Sequence, residues 1–138
     1  MSNYTKPLPQ TDPVTAPFWE SLKQQNMEIQ RCDDCATFIF YPRALCTNCS
    51  SRQLKWTPVS GRGHIYTMTI VHKAPGPFKA EAPYVVALVE LDEGCRMMTN
   101  IVGTDPDPSQ VKIGMPVEIV YDDVTENVTL PKFRPIAD

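Results

Sequence analysis

Four of the five cysteines fall in the run CDDCATFIFYPRALCTNC, from Cys32 to Cys49, as two CxxC pairs separated by ten residues. A CxxC turn presents two sulfurs from one tight reversal, and a second turn facing it completes a tetrahedron of soft donors, the geometry zinc prefers. The intervening ATFIFYPRAL is long enough for a strand, a reversal near Pro42 and a return. The spacing therefore predicts a zinc ribbon with Cys32, Cys35, Cys46 and Cys49 as ligands. Iron accepts the same sulfur geometry. A redox dithiol needs only one pair, usually near a βαβ pattern that is missing here, and paired disulfides need an oxidising compartment. A four-thiolate site leaves no position open for water or substrate, so its predicted role is structural. It would fold a segment too short to bury enough apolar surface unaided.

Other reactive residue types are sparse. The two histidines, His64 and His72, lie eight apart on one predicted strand and read as strand residues of the same face. Cys95, beside Met97 and Met98, reads as a small packed residue, with a reactive thiol as the alternative. Asp92, Glu93, Asp122 and Asp123 read as solvated charges at strand ends. The sequence contains no GxSxG, HExxH or glycine-rich phosphate loop. These residues do not assemble a nucleophile or base with an orienting partner, which favours a binding or accessory role. One loop, HKAPGPFKAEAPY, joins cations to flat apolar surface. Its His72, Lys73, an exposed Phe78, Lys79 and Tyr84 are candidates for contact with a phosphorylated ligand or a partner subunit, against the plainer reading of a rigid solvated loop.

The elements that must position these groups are legible in outline. Residues 1–15 form a proline-rich arm, irregular or ordered only against something else. APFWESLKQQN predicts a short helix with Pro17 in its first turn, Phe18 and Leu22 on one face and Trp19 beside them. It is too short to persist alone and must dock that face. MEIQRC and TFIFYP read as strands entering and leaving the first cysteine pair, giving a helix-plus-ribbon unit over residues 16–57. Residues 58–138 then carry five strand signals. In GHIYTMTIVHK, Ile65, Thr67, Thr69 and Val71 alternate with Tyr66, Met68 and Ile70; PYVVALVELDEG and CRMMTNIVG form a hairpin around Gly94; MPVEIVYDDV and ENVTLPKFRPI follow. DPDPSQVKIG reads as a turn with a short helical piece. The fold class is mainly β: a helix and rubredoxin-like ribbon, then a five-stranded barrel of the OB type, with a sandwich as the alternative.

Composition narrows the partners. With 138 residues, 42% hydrophobic and 21% charged, the chain is of ordinary globular make-up. No apolar run is long enough for a spanning helix, and MSNYTKPLPQTDP lacks a signal core, so a cytoplasmic location is the expectation. Residues 58–138 hold seven Lys and Arg against eleven Asp and Glu. That balance disfavours the single-stranded nucleic-acid binder that a ribbon and OB barrel otherwise allow.

Taken together, APFWESL, the ribbon with YPR before its second pair, APGPFKAEAPY and VKIGMPVEIVYDDV resemble, over roughly residues 15–136, the OB-fold family with an N-terminal rubredoxin-like zinc ribbon catalogued as domain-of-unknown-function family 35. The resemblance implies an acyl-CoA-associated small subunit of thiolase-type complexes, whose large partner carries the catalytic residues. It also implies structural Zn2+, a hetero-oligomer and a part in forming the passage for the CoA pantetheine arm. For this chain the contact candidates remain His72, Lys73, Phe78, Lys79 and Tyr84. All four metal-ligand positions are kept.

Overall fold

Helix α1, Ala16–Lys23, begins where the Asp12 carboxylate accepts the backbone N–H groups of Val14 and Thr15, both at 2.9 Å. It ends where Gln25 turns left-handed (φ 55°) and the Asn26 N–H reaches the Ser21 carbonyl at 3.0 Å, a Schellman-type stop. The computed structural model describes residues 4–136. As the period predicts, Phe18 and Leu22 are buried on one face. Ser21 fixes the exit: its hydroxyl donates to the Phe18 carbonyl at 2.6 Å and accepts the Glu28 N–H at 3.0 Å.

Three strands form the ribbon sheet in the order β2–β1–β3: β1 Glu28–Cys32, β2 Phe38–Ile39 and β3 Leu54–Pro58, all antiparallel. The remaining five close a barrel in the order β4–β5–β6–β8–β7: β4 Arg62–Val71, β5 Tyr84–Leu91, β6 Arg96–Ile101, β7 Pro116–Asp123 and β8 Thr129–Pro135. Closure between β4 and β7 runs through Gly63↔Val117, and Gly63 also pairs with Leu91 of β5. A Cβ on Gly63 would lie 2.2 Å from the Glu90 carbonyl oxygen, so this crossing admits only glycine. The β5–β6 hairpin turns at Asp92-Glu93-Gly94, with Gly94 at φ 104°. The sandwich alternative is thereby excluded.

Three local expectations change. Strand β4 carries a bulge between Ile65 and Thr67. Ile65 points into the core before it; after it Met68 and Ile70 face the core instead of Thr67 and Thr69. The phase inversion removes the basis for placing His64 and His72 on one face. DPDPSQVKIG forms two short turns and no helix: the Val111 N–H donates to the Asp107 carbonyl at 3.0 Å and the Met115 N–H to the Lys112 carbonyl at 3.2 Å, and Gly114 at φ 89° ends the run. Finally, the loop after β4 contains a 3₁₀ turn, Gly76–Glu81.

A single core joins the ribbon unit to the barrel. Phe18 and Leu22 of α1 and Met27 and Ile29 of the ribbon pack with Ile65, Val85, Val89, Leu91, Met97, Val117 and Phe133 of the barrel. The Met27 N–H donates to the Tyr121 hydroxyl at 2.9 Å and its carbonyl accepts the Val59 N–H at 3.1 Å. By contrast, the far end of the ribbon has only Cys32, Ile39 and Cys46 buried, with Cys35 and Leu54 against them. That is too little apolar surface to hold the segment, and the sulfurs sit where the missing core would be.

Candidate metal centre and adjoining clefts

The two cysteine turns are built alike. In the first, the Ala36 N–H donates to the Cys32 carbonyl at 2.8 Å and the Cys32 N–H to the Thr37 carbonyl at 2.9 Å. In the second, the Ser50 N–H donates to the Cys46 carbonyl at 3.0 Å and the Cys46 N–H to the Ser51 carbonyl at 2.8 Å. Each turn ends in a left-handed residue, Ala36 at φ 65° and Ser50 at φ 64°. Strand β1 delivers Cys32 at its end, and buried Gln30 aligns the returning segment: its amide donates to the Arg43 carbonyl at 2.8 Å and accepts the Arg43 N–H at 2.7 Å.

The four sulfurs lie within 4.8 Å of one another, with Cys32–Cys49 at 3.6 Å and Cys35–Cys46 at 3.5 Å. A tetrahedral zinc with bonds of about 2.3 Å requires sulfur separations of about 3.8 Å, so the cage fits. The thiols also need the cation. The Thr37 hydroxyl and Asn48 amide hold Cys35 down at about 5. Cys49 is pushed up to about 12: the Ser51 backbone favours its thiolate, but desolvation and the three neighbouring sulfurs outweigh that. Four thiolates this close cannot all ionise without a divalent charge among them. The donor set is closed, so the chemistry available here is structural.

Between α1 and the barrel lies an aromatic-walled cleft of ≈ 340 Å³. Phe18 meets Trp19 and Phe40 edge-on at 5.0 and 5.3 Å, and the Trp19 indole N–H donates to the Tyr41 hydroxyl at 3.3 Å. Its floor is the seam where β6 and β8 run parallel and pair only at Ile101↔Phe133. The Thr99 hydroxyl bridges that seam, donating to the Pro131 carbonyl at 2.9 Å, while Met98 beside it is 68% exposed. A second cleft, ≈ 460 Å³, continues along the seam and shares Met98, Thr99, Asn100, Leu130 and Lys132 with the first.

Of the five loop candidates, Phe78 and Tyr84 line this second cleft with their rings 6.4 Å apart. Phe78 is half-buried rather than exposed, because the N-terminal arm covers it. His72, Lys73 and Lys79 are exposed and line neither cleft. The cations that do line the second cleft are Lys6, paired with Glu81, and Lys132, 2.5 Å from Asp122. Neither was legible in the sequence, since only the closed barrel brings the arm to β8. Cys95 is half-buried against the core, and burial pushes its thiol up to about 11, as befits a packed residue. His64 lies 3.7 Å from Glu90, which pairs with Arg96 at 2.9 Å. Among the described residues no helix is long and apolar enough to cross a membrane.

A closed four-sulfur ribbon whose helix docks on a five-stranded OB barrel defines a recognisable class of protein. The sequence profile of the ChsH2 rubredoxin-like zinc ribbon domain matches residues 19–55, and that of the ChsH2 C-terminal OB-fold domain matches residues 56–122. A DUF35 domain-containing scaffold protein of Methanocaldococcus jannaschii is 37% identical over 133 residues, covering 91% of this chain and 93% of the relative. The probable enoyl-CoA hydratase alpha subunit of Thermomonospora curvata is 40% identical over 130 residues. That match covers 94% of this chain but only 40% of the relative's length. Among solved structures, a chain of the Ltp2-ChsH2(DUF35) aldolase aligns with a TM-score of 0.82 and 39% identity, over 93% of this chain and 98% of that one. The chain belongs to the DUF35 family, and its metal is structural zinc.

Proposed function

We propose that this chain is a non-catalytic, acyl-CoA-associated subunit that binds and completes a thiolase-like enzyme forming or cleaving a C–C bond, in a hetero-oligomer. One observation carries the reading: the chain aligns over 98% of a chain of the Ltp2-ChsH2(DUF35) aldolase, and over 93% of its own length, at a TM-score of 0.82. The relative named as a hydratase alpha subunit points the same way, toward work on acyl-CoA beside another polypeptide. The site chemistry agrees. Cys32, Cys35, Cys46 and Cys49 ligate zinc and shape the ribbon, while the lining of the clefts is a docking or passage surface rather than a set of reacting groups.

CoA combines phosphates with a long thin arm, so it is met by scattered cations and flat apolar surface rather than a broad basic field. Exposed Lys73 and Lys79, with His72 beside them, suit the phosphates; Phe78 and Tyr84 suit the arm. The test is purification of the native protein with mass-spectrometric identification of its companion, followed by calorimetric titration of a CoA thioester into the free subunit and the complex. A companion enzyme of the thiolase or aldolase class is expected, with turnover confined to the complex. Recovery as a lone monomer, or a pure chain converting the thioester unaided, overturns the proposal. Unchanged affinity and turnover for Lys79→Ala and Phe78→Ala in the complex removes the contact assignment alone.

A further inference from the structure

The proline-rich arm reaches back across the molecule. Tyr4, Lys6 and Pro7 form one wall of the ≈ 460 Å³ cleft, facing Tyr84, Val86, Met98 and Leu130. Lys6 is the centre of this contact. Its ammonium pairs with Glu81 at the end of the 3₁₀ turn and sits 5.7 Å from the centre of the Phe78 ring and 4.9 Å from that of Tyr4. Only 13% of the Lys6 side chain is exposed, against 49% for Glu81. Burial alone would lower the Lys6 pKa, yet it is held above its ordinary value by Glu81, with Tyr4 and Asp122 adding to the effect. A further cleft of ≈ 420 Å³, lined by Tyr4, Lys6, Glu81, Asp122 and Lys132, adjoins the same arm. The arm is thus a thin partition with space on both sides.

We propose that residues 4–7 are a strap closing the cleft over the β6–β8 seam, with Lys6–Glu81 as its clasp. The strap has the make-up of a releasable element. Pro7 and Pro9 offer no backbone donors to tie it into the barrel, and the clasp is a side-chain pair with one partner half in solvent. The remaining charges facing it, Asp122 of β7 and Lys132 of β8, are paired with each other and leave Lys6 to Glu81. With both cations neutralised, the cleft beneath is lined chiefly by rings, a thioether and aliphatic groups, with the Thr99 hydroxyl and Asn100 amide engaged by the Pro131 and Val85 carbonyls, and suits a neutral, thin, largely apolar ligand. Because strap and ligand share one wall, opening and binding are linked reciprocally. The inference goes beyond the acyl-CoA reading and does not depend on it, since every readout below is taken on the free chain.

The test is a charge-reversal cycle in the zinc-loaded full-length protein, using Lys6→Glu, Glu81→Lys and the double reversal. Hydrogen exchange of the amides of residues 78–82 and saturable fluorescence of the neutral dye Nile red are followed together. Each single reversal is expected to speed exchange by about fivefold to tenfold, the size of a partly exposed ion pair with its ring contacts, and to admit the dye. The double reversal is expected to restore slow exchange and exclude the dye. Lys6→Gln, which removes the charge without repulsion, gives the same direction should a reversal variant fold poorly. Exchange and dye binding at wild-type levels in Lys6→Gln and the single reversals would overturn the strap. A double reversal as loose as the singles would overturn the clasp, since the loosening would then come from lost packing.

Discussion

Ala36 and Ser50 occupy equivalent places, each following the second cysteine of its turn, each left-handed and each exposed. A residue with a Cβ is strained there by roughly 1–2 kcal/mol, whereas glycine is not. Glycine loses more freedom on folding, an opposing cost of about 0.5–1 kcal/mol. Since neither side chain is buried, no packing is lost, and the net gain for Ala36→Gly or Ser50→Gly is about 0.5–1 kcal/mol. The ribbon end has almost no apolar core of its own, so its folding free energy is largely its metal-binding free energy. The gain should therefore appear as zinc affinity, tightened about twofold to fivefold per site and multiplying in the double variant.

The assay is competition with a chromophoric zinc chelator at fixed pH. Ala44→Gly is the control, an exposed loop position between the two turns whose φ is not positive. There the entropy cost acts alone and affinity should fall slightly. If the double variant binds zinc no more tightly than the parent, or if Ala44→Gly tightens it as much, the matched geometry of the two turns is not what limits the site.

Three other outcomes follow from the packing. Gly63→Ala forces a methyl to within 2.2 Å of the Glu90 carbonyl and should cost about 3 kcal/mol in denaturant melts of the zinc form, whereas a loss under about 0.5 kcal/mol would mean the β4–β5 crossing yields. Phe18→Ala, at a side chain 1% exposed in the core shared by helix and barrel, should cost about 3–5 kcal/mol and weaken zinc binding with it; unchanged zinc affinity would show that ribbon and barrel are not coupled. Cys95, raised from 9.0 to about 11 by burial, favours its protonated form in the folded state, so its contribution is present below pH 9 and is lost as pH rises toward 11. Its alkylation by iodoacetamide at pH 8 should be slower than that of an unfolded thiol, and equal rates would refute its burial.

How far the sequence reached depends on the range over which each signal acts. The cysteine cage was legible because a CxxC turn is decided within a few residues, and its two halves repeat the same hydrogen bonds. Phe18 and Leu22 were legible because a helical face follows from local period, and the β5–β6 hairpin because Gly94 supplies the positive φ its turn needs. The failures share a different cause. Alternation along β4 was read as unbroken, but whether Tyr66 is bulged depends on pairing with β5, which no pattern within β4 encodes. Gln30 lies unmarked within the strand signal MEIQRC, and its clamp on Arg43 exists only once the ribbon has folded back. The cations show the same limit most plainly. Lys73 and Lys79 stand out because their loop is conspicuous, whereas Lys6 and Lys132, which line the cleft, lie one near each end of the chain and carry no such mark. Barrel closure sets that pairing: it brings β8 against β6 and leaves a groove along the seam where the arm comes to rest. Residues that meet only through closure carry no local signature, so the metal centre of this fold can be read from sequence while the meeting of Lys6 and Lys132 in one cleft cannot.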